Sequence, residues 1–392
     1  MHRSSFHRLV VLLALLAAAV TARPAHIVGG DLTYTWVGGN TYQFTLCVYR
    51  DALAGGAVFD GLSITGSAEA YVVIYNENSS TIVDIEELDP PVIDTDIDPP
   101  FSNPCLDEPT NIEIDEGCYT FSYTFPSNAS GGHDPFTLSY GRCCRNAIID
   151  NLVAPGDQGA LYYARVPARI AGQPGNNSPV FVQPPPIFIC QDAPFVYDHS
   201  ATDPDGDSLV YSLCPPYQAL STTTPALSGP AGGFPSPADV PPEMTPGFTP
   251  INYSTPTYSP TNPFGFGTPL TIDDAGTLRA TPANNGTYVV GICVDEYRDG
   301  VLINTLSRDF QYTVTDCNIP IIDVASQGVD PVTTEEIFLT SCDDFTVNFS
   351  HSSIFNPNPA SIPLNFWWSF GDGTTSNLQS PSHTYADTGR YI

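Results

Sequence analysis

The sequence predicts an all-β protein, a series of tandem Ig-like β-sandwich domains behind an N-terminal signal peptide. Three observations carry that prediction. Apolar residues recur with a period of two in many short segments. Turn-forming residues separate those segments. No long stretch after residue 22 repeats with a helical period.

The N-terminus reads as an export signal over residues 1–22. Arg3 and Arg8 form a short basic region, and Leu9 to Val20 is an uninterrupted apolar run. Val20-Thr21-Ala22 then places small residues where a signal peptidase reads. The run is shorter than the roughly 20 apolar residues a membrane span needs. No other segment qualifies as a span, so the mature chain is expected outside the cytoplasm, secreted or on a cell surface.

The strands follow in order. Tyr42, Phe44, Leu46 and Val48 alternate with polar or small residues, as do Tyr119, Phe121, Tyr123 and Phe125. Phe310, Tyr312 and Val314 repeat the pattern, and so do Phe345, Val347 and Phe349. Each reads as a strand with one face on a core. Gly38-Gly39-Asn40, Asp60-Gly61, Asn284-Asn285-Gly286, Asp299-Gly300 and Asp372-Gly373 supply the turns.

Three regions separate: 23–183, 184–317 and 318–392. The boundary between the first two is placed at the proline cluster Pro184-Pro185-Pro186. Fourteen of the 39 prolines lie between Pro215 and Pro269. Proline lacks the donor a sheet interior requires, so 215–269 is expected to be a long, partly ordered insertion in the second domain.

Composition narrows the function classes. The formal charge is −30, and every one of the 12 basic residues is Arg. A nucleic-acid partner is excluded by that balance, because phosphate binding needs a basic face. Disorder is excluded as well, since 42% of residues are hydrophobic and 11% aromatic. The ten cysteines are Cys47, Cys105, Cys118, Cys143, Cys144, Cys190, Cys214, Cys293, Cys317 and Cys342. An even number in an exported chain reads as disulfides, and the absence of any CxxC argues against zinc. Cys105 with Cys118 is expected as a local loop. Cys143 and Cys144 are expected to bond to different partners, because a bridge between neighbours is strained.

One constellation has the chemistry of a metal site. Asp203, Asp205 and Asp207 alternate in a turn that Gly206 allows to bend. Three hard oxygen donors so close together suit Ca²⁺, with Asp198, Asp295 or Glu296 available to complete the cage. A solvated acidic turn is the other reading, and EF-hand spacing is absent. Asp94, Asp96 and Asp98 precede Pro99-Pro100 and read as a solvated loop. Ile27-Val28-Gly29-Gly30 and Gly206-Asp207-Ser208 look superficially like serine-protease motifs. Leu209-Val210 stands where oxyanion-turn glycines would be needed, and His133, His199, His351 and His383 lie in unrelated contexts. No pair of carboxylates stands out for glycoside hydrolysis.

Three resemblances add to this. Trp368, Phe370, Gly371, Asp372 and Gly373, followed by His383-Thr384-Tyr385 and Gly389-Arg390-Tyr391, closely resemble the signature of a PKD domain, an Ig-like sandwich. That resemblance implies that Trp368 and Phe370 face a core, and that the module is truncated at Ile392. Ala201 to Ser212, Asp273 to Leu278 and Gly286 to Val294 resemble a cadherin-like or dystroglycan-type Ig-like domain. His26 to Tyr34, Tyr49-Arg50-Asp51, Cys143 to Ile148 and Asn177 to Phe181 resemble the N-terminal region of large Bacteroidota-type surface proteins. Those are associated with gliding motility and type IX secretion. Ala52 stands where that family often has a Cys, which implies one missing disulfide.

The expected function is a non-catalytic surface protein of Ig-like modules, structural or adhesive, with Ca²⁺ as its candidate cofactor. Its partner would be a protein or carbohydrate ligand on the outer face of a bacterial outer membrane, and further C-terminal domains are expected. The alternative is the non-catalytic front of a secreted hydrolase, since PKD domains often flank catalytic ones.

Overall fold

The computed structural model describes residues 27–52, 58–62, 68–95, 113–186, 188–224, 226–230, 233–316, 328–329, 336–337, 346–349 and 366–386. The signal segment, Asp96, Asp98, Cys105, Cys317, Cys342, Phe345, His351 and Tyr391 lie outside them. The described residues form an all-β protein with short 3₁₀ turns and no α-helix among them. They divide into two compact units, one running up to Asp316 and the other from Gly328 onward.

The described residues of the larger unit contain nineteen strands. The first eight are β1 (Ile27–Gly38), β2 (Thr41–Asp51), β3 (Tyr71–Asn76), β4 (Thr81–Glu87), β5 (Val92–Asp94), β6 (Ile114–Thr124), β7 (Phe136–Arg142) and β8 (Ala160–Val166). Then come β9 (Val180–Phe181), β10 (Phe188–Cys190), β11 (Phe195–Asp198), β12 (Ala201–Thr202), β13 (Ser208–Leu213) and β14 (Tyr217–Gln218). The last are β15 (Thr249–Pro250), β16 (Thr271–Ile272), β17 (Thr277–Ala280), β18 (Gly286–Arg298) and β19 (Val301–Thr315).

The alternation read from the sequence places two cores. Tyr34, Tyr42, Phe44, Leu46 and Tyr119 face Val72, Ile74, Phe136, Leu138 and Tyr162 across the first sandwich. Tyr288, Val290, Ile292, Phe310 and Tyr312 face Phe195, Tyr197 and Leu278 across the second. The expected boundary near residue 184 falls between the residues of these two cores, Val28, Tyr49 and Phe181 apart, but it does not divide the sheet or the compact unit. One sheet runs β13-β18-β19-β1-β2-β6-β5, because β1 pairs with β19 at Gly29–Phe310 and Gly30–Asp309. The proline cluster marks a crossing within one unit, and long-range strand pairing overrides that local signal.

The Gly29-Gly30 pair has a steric reason. A Cβ at Gly29 would sit 2.5 Å from the Asp309 carbonyl oxygen and against the Phe310 ring. One at Gly30 would sit 2.7 Å from the Cys47 carbonyl oxygen and 3.0 Å from Tyr162. Only glycine lets the backbones approach this closely. Reciprocal ion pairs then bridge the same junction. Arg308 of β19 donates to Asp31 of β1 at 2.8 Å, and Arg145 after β7 clamps Asp309 of β19 with two guanidinium nitrogens. All four residues are buried. Arg308 also lies 3.9 Å from the Phe181 ring centroid.

The proline-rich insertion is a covering layer. Its strands β14 and β15 extend the second sheet, β15-β14-β8-β7-β3-β4, at the β8 edge. Pro250 sits on the outermost strand, where a missing donor is tolerated. Ala219, Leu220, Leu227 and Met244 cover the outer faces of Tyr71, Val73 and Leu161.

The disulfides correct two expectations. Cys118 pairs with Cys47, not with Cys105, because β2 and β6 hold these residues directly opposite at a Cα separation of 4.1 Å. Cys143 and Cys144 bond to each other rather than to separate partners, their Cα atoms 3.0 Å apart. Cys214, just past β13, joins Cys293 on β18, the strand that β13 pairs with. Cys190 is disulfide-bonded as well.

Two tests follow from the junction and the second core. Replacing Arg145 by Met leaves Asp309 buried without its counter-charge, an effect worth about 3–5 kcal/mol. The denaturation midpoint should fall accordingly, with both sandwiches unfolding in one transition; two separated transitions would contradict a shared unit. His199 is 2% exposed, between Phe181 and Tyr197, and its ring nitrogens have no hydrogen-bond partner among the described residues. Burial first, and Arg308 second, hold its pKa well below 6.5. The unfolded chain therefore takes up a proton that the folded one refuses. Stability from this group is present above pH 6.5 and is lost as pH falls below it. His199→Leu should flatten that acid limb in melting temperatures measured against pH.

Candidate metal centre

The turn before β13 folds around Asp203. Its Oδ1 accepts the backbone N–H groups of Asp205 at 2.9 Å and Asp207 at 3.0 Å. Gly206 takes a φ of 82°, which lets the chain reverse. The alternating acidic side chains thus gather on one side of a tight loop. β13 pairs antiparallel with β18, and this register brings Glu296 to the same place. One oxygen from each of Asp203, Asp205, Asp207 and Glu296 lies within 4.8 Å of the others.

The four carboxylates are not equivalent. Glu296 is completely buried. Its Oε2 accepts from Asn304 Nδ2 of β19 at 3.1 Å, while Oε1 takes no hydrogen bond among the described residues. Burial, more than any neighbour, pushes its pKa up to about 8. Asp203 Oδ2 is likewise buried without a donor among the described residues, and burial raises that carboxyl too. Asp205 and Asp207 instead engage Arg298 at the end of β18. Arg298 reaches Asp205 at 3.0 Å and both oxygens of Asp207 at 3.0 Å, and its hydrogen bond holds the Asp207 pKa low.

This donor set fits a hard cation. It is all oxygen, with no His or Cys, and two buried carboxylate oxygens lack any donor among the described residues. A divalent ion would give those oxygens the positive charge that they lack. Arg298 stands on the outer pair and leaves the inner pair, Asp203 and Glu296, available. Of the residues named as completing the cage, Glu296 is in place. Asp198 accepts from Ser200 N–H and Asp295 from the Thr305 hydroxyl, outside the cluster. Asp94 lies exposed on β5. A second grouping, Cys47, Glu116 and Cys118, offers no thiolate, because the cysteines are bonded to each other.

Sequence reasoning missed four residues here: Asn176, Asn177, Arg298 and Asn304. Asn177 donates its backbone N–H and Nδ2 to the Asp205 carboxylate at 2.8 and 2.6 Å. Asn176 Oδ1 accepts from Arg298 at 2.6 Å. They are distant in sequence from the turn, and no local pattern links them to it.

In the smaller unit, Trp368–Ser369 pairs with Thr375–Ser376 as a hairpin. Gly373 takes a φ of 90° at its tip, as the Asp-Gly turn requires. Phe370 is buried and stacks on His383 at 4.1 Å, while Trp368 packs on Phe349 and donates Nε1–H to the Leu378 carbonyl. Asp372 accepts from the Thr374 hydroxyl and N–H and faces His383 Nε2 at 2.7 Å. Those bonds, the Thr374 hydroxyl first, lower its pKa to about 2. Tyr385 meets His383 edge-on. The signature residues therefore hold a hairpin and its core together.

The inner pair can be tested without any ion. Glu296→Gln removes the cost of burying a carboxyl, which builds up as pH rises from 4.5 to about 8, and adds an amide donor beside Asp203, so the chelator-treated protein should melt higher than wild type at pH 9. Arg298→Gln strips the outer carboxylates of their cation and should melt lower. The opposite order would show that the cluster is already balanced.

Residues 329–392 match the PKD domain family. No curated protein and no solved structure matches the chain. Among the described residues, no helix is long and apolar enough to cross a membrane. The C-terminal segment, residues 329–392, is thus similar to a PKD domain.

Proposed function

We propose that the chain is a secreted, non-catalytic surface scaffold whose larger unit binds Ca²⁺ through Asp203, Asp205, Asp207 and Glu296. The observation that carries the cation is the buried Glu296 Oε1, which has no donor among the described residues and lies among three other carboxylates. The scaffold reading is supported by a disulfide-linked all-β unit ahead of a PKD module. Export follows from the residue 1–22 signal pattern. Attachment to a bacterial outer membrane, with structural or adhesive work there, is the setting proposed from the resemblance of the first region.

The described histidines support a non-catalytic role. His133 donates Nδ1–H to the Asp134 carbonyl and accepts at Nε2 from the Tyr42 hydroxyl. His199 has no polar partner among the described residues. His383 meets both Asp372 and Thr374 through the same nitrogen, so it cannot pass a proton between them as a relay does. Ser208, of the Gly-Asp-Ser segment, lies on β13 opposite Tyr297.

The test uses the mature chain, residues 23–392, with excess Ca²⁺ and with chelator. An ion that binds only the folded state stabilises by about 2.7 kcal/mol at a hundred times its dissociation constant. For a chain of this size that corresponds to a melting-temperature rise of roughly 3–4 °C. Asp203→Asn should lose most of the rise. An equal rise in both proteins would assign the effect to screening of the overall charge, and the site would fall. Casein turnover abolished by Ser208→Ala would overturn the non-catalytic reading.

A further inference from the structure

The segment 174–179 lies between the acidic cluster and β1, and it is tied to both. β1 pairs with β19 only at Gly29 and Gly30. Farther along β1, the strap takes over that edge. Ser178 N–H donates to the Tyr34 carbonyl at 2.9 Å, and Tyr34 N–H donates to Ser178 Oγ at 2.8 Å. Trp36 N–H donates to Asn177 Oδ1 at 2.8 Å. A side chain at Gly175 would collide with the Trp36 ring and the Tyr42 hydroxyl, so the strap backbone lies directly against them. Its other side is held by the cluster, through the two Asn177 bonds to Asp205 and the Arg298 bond to Asn176.

We propose that a divalent cation bound at Asp203, Asp205, Asp207 and Glu296 locks this strap onto β1, so that cation binding controls how often the β1 edge at Tyr34–Trp36 opens. The proposal rests on the Ca²⁺ reading above and adds a consequence that can fail separately. Asn177 is the coupling residue. Its side chain spans the gap, donating to Asp205 through Nδ2 and accepting from Trp36 through Oδ1. Fixing the Asp205 carboxylate on an ion fixes the asparagine, and the asparagine fixes the strand edge. When the strap lifts, the N–H groups of Tyr34 and Trp36 lose their acceptors and face solvent. An uncovered strand edge is a template for pairing with another extended segment.

Amide hydrogen exchange on the mature chain reads this residue by residue. The amides of Asp205 and Asp207, bonded to Asp203 Oδ1, report the ion site. Those of Tyr34, Trp36, Asn177 and Ser178 report the strap. With Ca²⁺ at about ten times its dissociation constant, opening is suppressed by the factor 1 + [L]/Kd, so exchange in both sets should slow about tenfold relative to chelator. In Asn177→Ala, Ca²⁺ should still slow Asp205 and Asp207 but no longer slow Tyr34 and Trp36. Slowing confined to Asp205 and Asp207 in the wild type would overturn the coupling and leave the cation site standing. Slowing of Tyr34 and Trp36 in Asn177→Ala would also overturn it, since the asparagine would not be the link. No slowing anywhere, with no heat of Ca²⁺ binding by calorimetry, would remove both the site and the coupling.

Discussion

Contact between β1 and β19 at Gly29 and Gly30 is the constraint on which the larger unit depends. Any Cβ at Gly29 would strike the backbone of Asp309 and the ring of Phe310. With two hydrogens there instead, the N-terminal strand enters the sheet between β2 and β19. The first and last strands of the unit become neighbours. The described elements between them, although they lie in several sheets, then belong to one compact unit.

The buried charges follow from that contact. Successive residues on β19 point to opposite faces, so Arg308 and Asp309 enter different environments. Arg308 pairs with Asp31 and lies over Phe181, while Asp309 receives Arg145. Each pair takes one residue from either side of the crossing. Replacing such pairs by apolar residues of similar volume is often neutral in stability, whereas removing one partner is costly. Their effect here is to fix one register between the halves. A chain with 12 basic residues against 42 acidic ones commits several of its arginines to such internal work.

The acidic cluster inverts this arrangement. Its outer carboxylates have Arg298, but the inner ones are buried with oxygens that lack donors among the described residues. In a low-dielectric setting such an oxygen is costly unless a cation meets it. The same cluster holds Asn176 and Asn177, and Asn177 with Ser178 completes the β1 edge beyond Gly30. The proposed cation site and the sealing of the first sandwich therefore meet at one short strap.

Much of this was legible in the sequence. Alternation at Tyr42 to Val48 and at Phe310 to Val314 marked strands, because a strand's two faces meet different solvents. Asp-Gly at 372–373 marked a hairpin, because glycine accepts the backbone angle that the turn needs. Asp203, Asp205 and Asp207 marked a candidate cation site, because their spacing alone brings the carboxylates together. Pairing across long separations was not legible. The proline cluster at 184–186 looked like a domain boundary, yet β1 and β19 pair across it, and no local pattern encodes a partner so far along the chain. Cys118 met Cys47 rather than Cys105 because strand register, not sequence distance, sets which sulfurs face each other. Local propensity and periodicity are properties of neighbouring residues, and the sequence by itself determined those. Only the tertiary structure decided which faces, charges and sulfurs were brought together, because those contacts exist only once the sheet has closed.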